Sequence, residues 1–191
     1  ELGKYHLSKE TIRIERNVLG EAGGWQDQIA TSYGGFNQIV FKKNSFDVNQ
    51  LSNNFISKYL DNCYLIDVGN LRKAHEVSIS QQILIKDKHK LYEEMMVLIE
   101  PALETIKKNN FNEFSKLIDY SWNIKKQYSS KITNPEVDDA VDKLKGMGGK
   151  GIKLLGAGSG GFLLCRFENK ISDDEFKNFG FNFTIRVKAT T

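Results

Sequence analysis

The sequence predicts an α+β fold, in which strands pair across short turns and helices gather in a block. Three observations predict it. The strand-like runs "GIKLLGAG" and "GGFLLCRF" follow one another across glycines, as antiparallel neighbours do. From about His75 to Lys145 the pattern is helical. Strands and helices do not alternate one for one, which argues against a doubly wound parallel sheet. Composition permits such a fold: 191 residues with 40% hydrophobic and 27% charged content can bury a substantial core. A net charge of +3 is too mild to demand a nucleic-acid or anionic-membrane partner.

The elements follow in order. Apolar Ile12, Ile14, Val18 and Leu19 predict a helix from about Lys9 to Leu19, with Ser8 as N-cap and Gly20 as stop. The glycine-rich stretch "GEAGGWQDQIATSYGGF" comes next, with a short helix after Asp27. Alternation in "FNQIVFKK" predicts a strand over 36–43, and "NCYLIDVG" a second. Between them, the polar, asparagine-rich residues 43–60 read as a joint between two lobes. "KHKLYEEMMVLIEPALETIKK" puts Leu91, Met95, Leu98, Ile99 and Leu103 on one helix face, where Pro101 either kinks the helix or opens a new one. "NEFSKLIDYSWNIKKQYS" is a further amphipathic helix. "TNPEVDDAVDKLKGMGG" carries Pro135 where a first turn tolerates it and glycines where a helix ends. The two strands already quoted follow, then a short acidic helix in "SDDEFKNFG" and a closing strand in "FNFTIRVKA". Cys63 and Cys165 lie inside apolar runs and read as buried reduced thiols, fitting a cytoplasmic location. No run of apolar residues is long enough to span a membrane.

The glycine clusters admit several readings. Gly156, Gly158 and Gly161 spell G-x-G-x-x-G, but a dinucleotide fingerprint opens a helix, and "GFLLCRF" has strand character. "GMGGKG" lacks the Ser or Thr that a phosphate-binding P-loop places after its lysine. An RNA-recognition strand would put an aromatic where a leucine stands, in a domain with no room for the helical block. A simple hairpin remains open, although the cluster holds more glycine than a turn requires. Bare backbone also lets another element, or a ligand, come close. Asp27 either caps the short helix or carries chemistry.

Taken together, "GEAGGWQDQIATSYGG" and "KLLGAGSGGFLL" resemble the GHMP kinase superfamily of small-molecule kinases. Within it, "GGWQDQIATSYGGFN" is most similar to the bacterial D-glycero-D-manno-heptose 7-phosphate kinases, with the C-terminal lobes of fucokinases close by. The resemblance implies that residues 1–43 end the family's N-terminal lobe. Residues 44–191 would then be a ferredoxin-like C-terminal lobe with an added helical block. The family's Pro-x-Gly-Leu-x-Ser-Ser type of phosphate loop does not occur in this sequence, so the resemblance places it upstream of Glu1.

The implied reaction moves the γ-phosphoryl group of ATP, with Mg2+, to the anomeric hydroxyl of the heptose phosphate. Asp27 would be the catalytic base, and Gln26 and Gln28 would hold its carboxylate or the sugar hydroxyls. Lys153, Gly156, Ala157, Gly158, Ser159, Gly160 and Gly161 would form the phosphate loop. Glu15 would bind the metal; the plain alternative is a solvated carboxylate paired with Arg16 or Lys9. Arg72 and Lys73, with Lys153, would clamp a phosphate on the sugar. The alternatives are an anomeric kinase of fucose or another unphosphorylated sugar, and a non-catalytic binding lobe. The implied partners are the sugar phosphate and ATP, with no nucleic acid or membrane.

Overall fold

The computed structural model describes residues 3–21, 24–69, 88–156 and 158–188. The chain divides into two compact units, Glu1–Ile56 and Ser57–Thr191.

In the first unit, helix α1 (Lys4–Arg13) runs directly into a π-helical turn (Ile14–Val18). Helix α2 (Gln26–Tyr33) and an antiparallel hairpin of β1 (Asn37–Phe41) and β2 (Phe46–Gln50) follow. Their core is small: Ile12, Ile29 and Phe46 are buried, with Trp25, Tyr33, Ile39 and Val48 packed against them. Ser8 is not the N-cap. It lies buried inside α1 and donates to the Lys4 carbonyl at 2.8 Å, the back-bond that a mid-helix serine makes when no cap role is open to it. Gly3 caps instead. Gly20, with φ +69°, does end the helical run. The boundary between the units, Ile56–Ser57, falls inside the polar stretch 43–60, which is itself structured: β2 occupies 46–50, and α3 (Asn53–Leu60) follows it.

The second unit is built on a sheet of order β4-β5-β3-β6, antiparallel throughout. Its strands are β3 (Cys63–Asp67), β4 (Lys150–Leu154), β5 (Phe162–Arg166) and β6 (Thr184–Arg186). Helices α4 (His89–Val97), α5 (Ile99–Lys107), α6 (Phe111–Lys126) and α7 (Pro135–Gly146) lie between β3 and β4. A short α8 (Asp173–Asn178) connects β5 to β6. Strand, helices, strand, strand, helix, strand in this sheet order is the ferredoxin-like arrangement, and the helical block enlarges its first crossover. The predicted helical stretch over 75–87 lies outside the described residues.

Local chemistry accounts for the helix ends. Asn134 accepts from the Val137 amide at 2.8 Å with Pro135 in the first turn. Ser172 and Glu175 form a reciprocal capping box on α8. The break between α4 and α5 falls at Leu98, which leaves Pro101 in the first turn of α5, where its missing N–H costs nothing. Trp122, Ile124, Ile132, Val137, Val141 and Leu144 pack against Ile66, Ile152, Leu154 and Leu163 of the sheet. Each large side chain buried there contributes about 1.5–3 kcal/mol.

A bulge shifts the β4–β5 register between Lys150 and Lys153. Gly151 has φ +61°, and a Cβ there would stand 2.5 Å from the Tyr59 hydroxyl. The Gly151 and Ile152 amides donate to the Asp119 carboxylate of α6 at 3.0 and 2.6 Å. Cys63 and Cys165 are free and fully buried, and burial pushes the Cys63 thiol up to about 12 and Cys165 upward as well. No helix among the described residues is long and apolar enough to cross a membrane.

Candidate functional site

The predicted site residues divide between the two units. In the first, the π-helical turn closes through Leu19 N–H to the Ile14 carbonyl at 2.9 Å. Such turns insert one residue into a helix and re-aim the side chains around it. Arg16 then ties the following loop down, donating to the carbonyls of Glu21 and, at 2.6 Å, Gly24. Trp25 is the N-cap residue of α2, so Asp27 does not cap that helix. Asp27 stands exposed in the first turn and makes no hydrogen bond or ion pair with any described residue. Gln26 is exposed beside it.

Gln28 turns inward, is buried, and donates from Nε2 to Glu15 Oε2. It therefore fixes Glu15 rather than the Asp27 carboxylate. The Gln28 Oε1 is buried without a partner among the described residues. Neither Arg16 nor Lys9 pairs with Glu15: Lys9 donates to the Asn44 carbonyl at 3.2 Å and lies 5.7 Å from the Trp25 ring centre. Glu15 Oε1 keeps no partner among the described residues. No group of three or more His, Cys, Asp or Glu that could hold a metal occurs among the described residues. Magnesium needs no such cage, since one or two carboxylates together with substrate phosphates suffice, and Glu15 fits that donor set.

In the second unit, Lys153 lies half-buried on β4 opposite Leu164. Its side chain makes no hydrogen bond or ion pair with a described residue, and burial lowers its pKa below the ordinary 10.5. The glycine loop follows. Gly158 packs directly on a neighbouring segment, because a Cβ there would meet the Ile132 backbone at 2.8 Å. Ser159 takes the left-handed φ of +65° that non-glycine residues seldom adopt. It is held there by its amide to the Ile132 carbonyl at 2.8 Å and by its hydroxyl to the Lys131 carbonyl.

Asn134 donates to the Ser159 carbonyl at 3.1 Å, and Lys125 to the Gly156 carbonyl at 2.7 Å. On the sheet side, the Gly161 amide donates to the Gly69 carbonyl at 2.9 Å, and the Gly161 carbonyl accepts from the Val68 amide at 2.9 Å. The loop is thus more than a turn. Another element approaches it at Gly158, whereas Gly156 and Gly161 would meet nothing within 4 Å if they bore a Cβ. The Gly156 and Gly160 amides have no partner among the described residues, so donors and space coincide for an anion.

Ala157, Arg72 and Lys73 lie outside the described residues. Sequence reasoning missed Lys125, Lys131, Ile132 and Asn134, which fasten the loop. Only Asn134 carried a local signal, as the residue before Pro135 at a helix start.

Comparison with known proteins places these features in context. Residues 102–181 match the family described as GHMP kinases C terminal. The D-glycero-alpha-D-manno-heptose 7-phosphate kinase of Campylobacter jejuni is 31% identical over 168 residues, 85% of this chain and 49% of that protein. The L-fucokinase/L-fucose-1-P guanylyltransferase of Bacteroides fragilis is 30% identical over 174 residues, 84% of this chain and 18% of that protein. The chain thus spans about half the length of the first relative and less than a fifth of the second. Among solved structures, L. major mevalonate kinase in complex with R-mevalonate superposes with a TM-score of 0.67 at 14% identity, covering 94% of this chain and 53% of that one. That likeness is one of fold.

Proposed function

From a chain that carries the GHMP kinase C-terminal domain over residues 102–181, we propose that it is the C-terminal part of an ATP-dependent sugar kinase. It phosphorylates the anomeric hydroxyl of D-glycero-D-manno-heptose 7-phosphate. Residues 1–43 complete the N-terminal lobe on this reading, and 44–191 form the C-terminal lobe. The observation that carries it is the fastened glycine loop, whose Gly156 and Gly160 amides have no partner among the described residues and which follows the strand carrying Lys153. Phosphoryl transfer asks mainly for positioning and charge neutralisation, and such a loop supplies both to phosphate oxygens.

Asp27 is the group that accepts the proton of the attacking hydroxyl. Its carboxylate makes no bond to a described residue, and the helix N-terminus on which it stands favours an anion. An anomeric hydroxyl is more acidic than an ordinary alcohol, which eases the transfer. Gln26 contacts sugar hydroxyls. Glu15, oriented through Gln28, holds Mg2+, which when bound neutralises charge on the nucleotide phosphates. Arg72 and Lys73 grip the phosphate already on the sugar. The buried thiols suit a reducing cytoplasm.

Asp27→Asn in the full-length enzyme tests the base. Turnover falls on the order of 10² to 10⁴ while the sugar KM stays near its starting value. Unchanged kcat removes Asp27 from the chemistry. A second reading, an anomeric kinase of fucose or another unphosphorylated sugar, is favoured by the 30% identity to the fucokinase. Comparing kcat/KM on heptose 7-phosphate and on fucose decides between them. A third, a binding lobe without catalysis, predicts no turnover of either sugar by the full-length protein.

A further inference from the structure

A group of basic side chains lies at the end of β5 remote from the glycine loop. The strand starts at Phe162, next to Gly161, and ends at Arg166, about 13 Å further on at some 3.3 Å per residue. Arg166 is only 8% exposed. Its guanidinium lies between two aromatic rings, 5.4 Å from the centre of Tyr59 and 5.4 Å from that of Phe111. The rings attract the cation but answer none of its N–H groups. Nε and Nη1 are buried with no hydrogen-bond partner among the described residues. A buried charge with unmade hydrogen bonds is costly, and a protein keeps one chiefly where something else completes it.

Arg166 lines a cavity of about 460 Å³ together with Lys108, Asn110, Phe111, Asn112 and Glu168. The cavity lies at the N-terminus of α6, a helix of 16 residues whose first-turn amides carry partial positive charge. Asn110 already satisfies the Glu113 amide at 3.1 Å, whereas the Asn112 amide has no partner among the described residues. Lys108 is held only loosely, 3.7 Å from Glu104, whose nearer partner is Lys107 at 2.8 Å. The carboxylate in the lining, Glu168, pairs with Lys150 at 2.5 Å, and its attraction to the Arg166 guanidinium is the weaker of the two. What remains is a guanidinium fork, an ammonium group and a helix end around one polar cavity.

We propose that this cavity binds a phosphate group, either as the free ion or as the monoester of a small metabolite. A guanidinium fork offers paired N–H groups that match two oxygens of one phosphate, and a tetrahedral dianion leaves oxygens for Lys108 and the helix end. The inference stands apart from the kinase reading, since it uses no residue assigned to catalysis or to the glycine loop.

The test is titration of the 191-residue chain with inorganic phosphate at constant ionic strength, followed by calorimetry and by the thermal unfolding midpoint. Asn112→Asp places a negative charge at the exposed lip of the cavity, where the helix end itself welcomes an acid. It is expected to leave the phosphate-free midpoint unchanged or higher while weakening phosphate about tenfold. Lys108→Ala weakens it severalfold, and Lys153→Ala leaves this site's affinity unchanged. Arg166→Lys, which keeps the charge and loses the fork, weakens it as much as Asn112→Asp.

Acetate is expected to bind far more weakly than phosphate; equal binding would overturn the phosphate assignment. A sugar phosphate that binds tighter than inorganic phosphate, with the same response to Asn112→Asp, identifies the metabolite as the source. The proposal fails if no binding occurs up to about 10 mM phosphate, or if Asn112→Asp leaves the affinity as it was.

Discussion

Lys153 shows how a single side chain can work against the fold that carries it. It is half-buried, finds no counter-charge among the described residues, and burial lowers its pKa. The unfolded chain keeps that proton up to the ordinary 10.5, while the folded chain releases it sooner. Between the two values the unfolded state binds more protons, so stability rises with pH across that window. Lys153→Met removes the buried charge and keeps the volume. It is expected to be neutral, or stabilising by about 1 kcal/mol or more, in urea unfolding at pH 7. The advantage shrinks as pH approaches 10.5, and the same variant loses affinity for nucleotide or phosphate at the glycine loop. A variant that is less stable at pH 7 would show Lys153 to be a structural residue. Gln28 works the other way, in support of a neighbour. Its neighbourhood in sequence pointed to Asp27, and its side chain instead reaches across to Glu15, because the π-helical turn re-aims that carboxylate.

Among the elements, those announced by chemistry at their ends were legible before any coordinates. Pro135 and the closing glycines mark α7, the acidic run in "SDDEFKNFG" marks α8, and the apolar alternation in "FNQIVF" marks β1. Strand β2 was not legible, because its alternation rests on Phe46 and Val48 alone among asparagines and charges. The start of α1 was lost for a related reason. Ser8 reads as a cap locally, yet its hydroxyl is satisfied equally well by a carbonyl one turn back. The glycine loop lies between these cases. Its positive φ angles are written in its composition, but what it packs against is a long-range fact about Ile132. Gly158→Ala is therefore expected to cost about 1–3 kcal/mol, since the new methyl meets backbone 2.8 Å away. Hydrogen exchange is expected to quicken at the Ser159 amide, whose bond to Ile132 would be displaced. Gly156→Ala meets open space, so its cost is limited to backbone strain at φ +81°. Equal effects from both substitutions would argue against the close approach.

At the scale of the whole molecule, each unit has a core of its own, and the second holds both thiols. Cys63 and Cys165 are fully buried, and burial holds each thiol in its protonated form at neutral pH. A thiol reagent at pH 8 is expected to label neither cysteine in the native protein and both once denaturant has melted the second unit. Labelling in step with the loss of the far-UV signal would make the two cysteines reporters of that unit's unfolding. Fast labelling under native conditions would mean that the β3–β5 pair opens far more readily than its packing indicates.

Segment 131–134 grips the glycine loop through Ser159 and Asn134. If the loop receives phosphate as proposed, these bonds preorganise it, its ordering entropy already spent during folding. An incoming polyphosphate would then be captured in one step, with an observed rate linear in concentration and no plateau from a slow loop isomerisation.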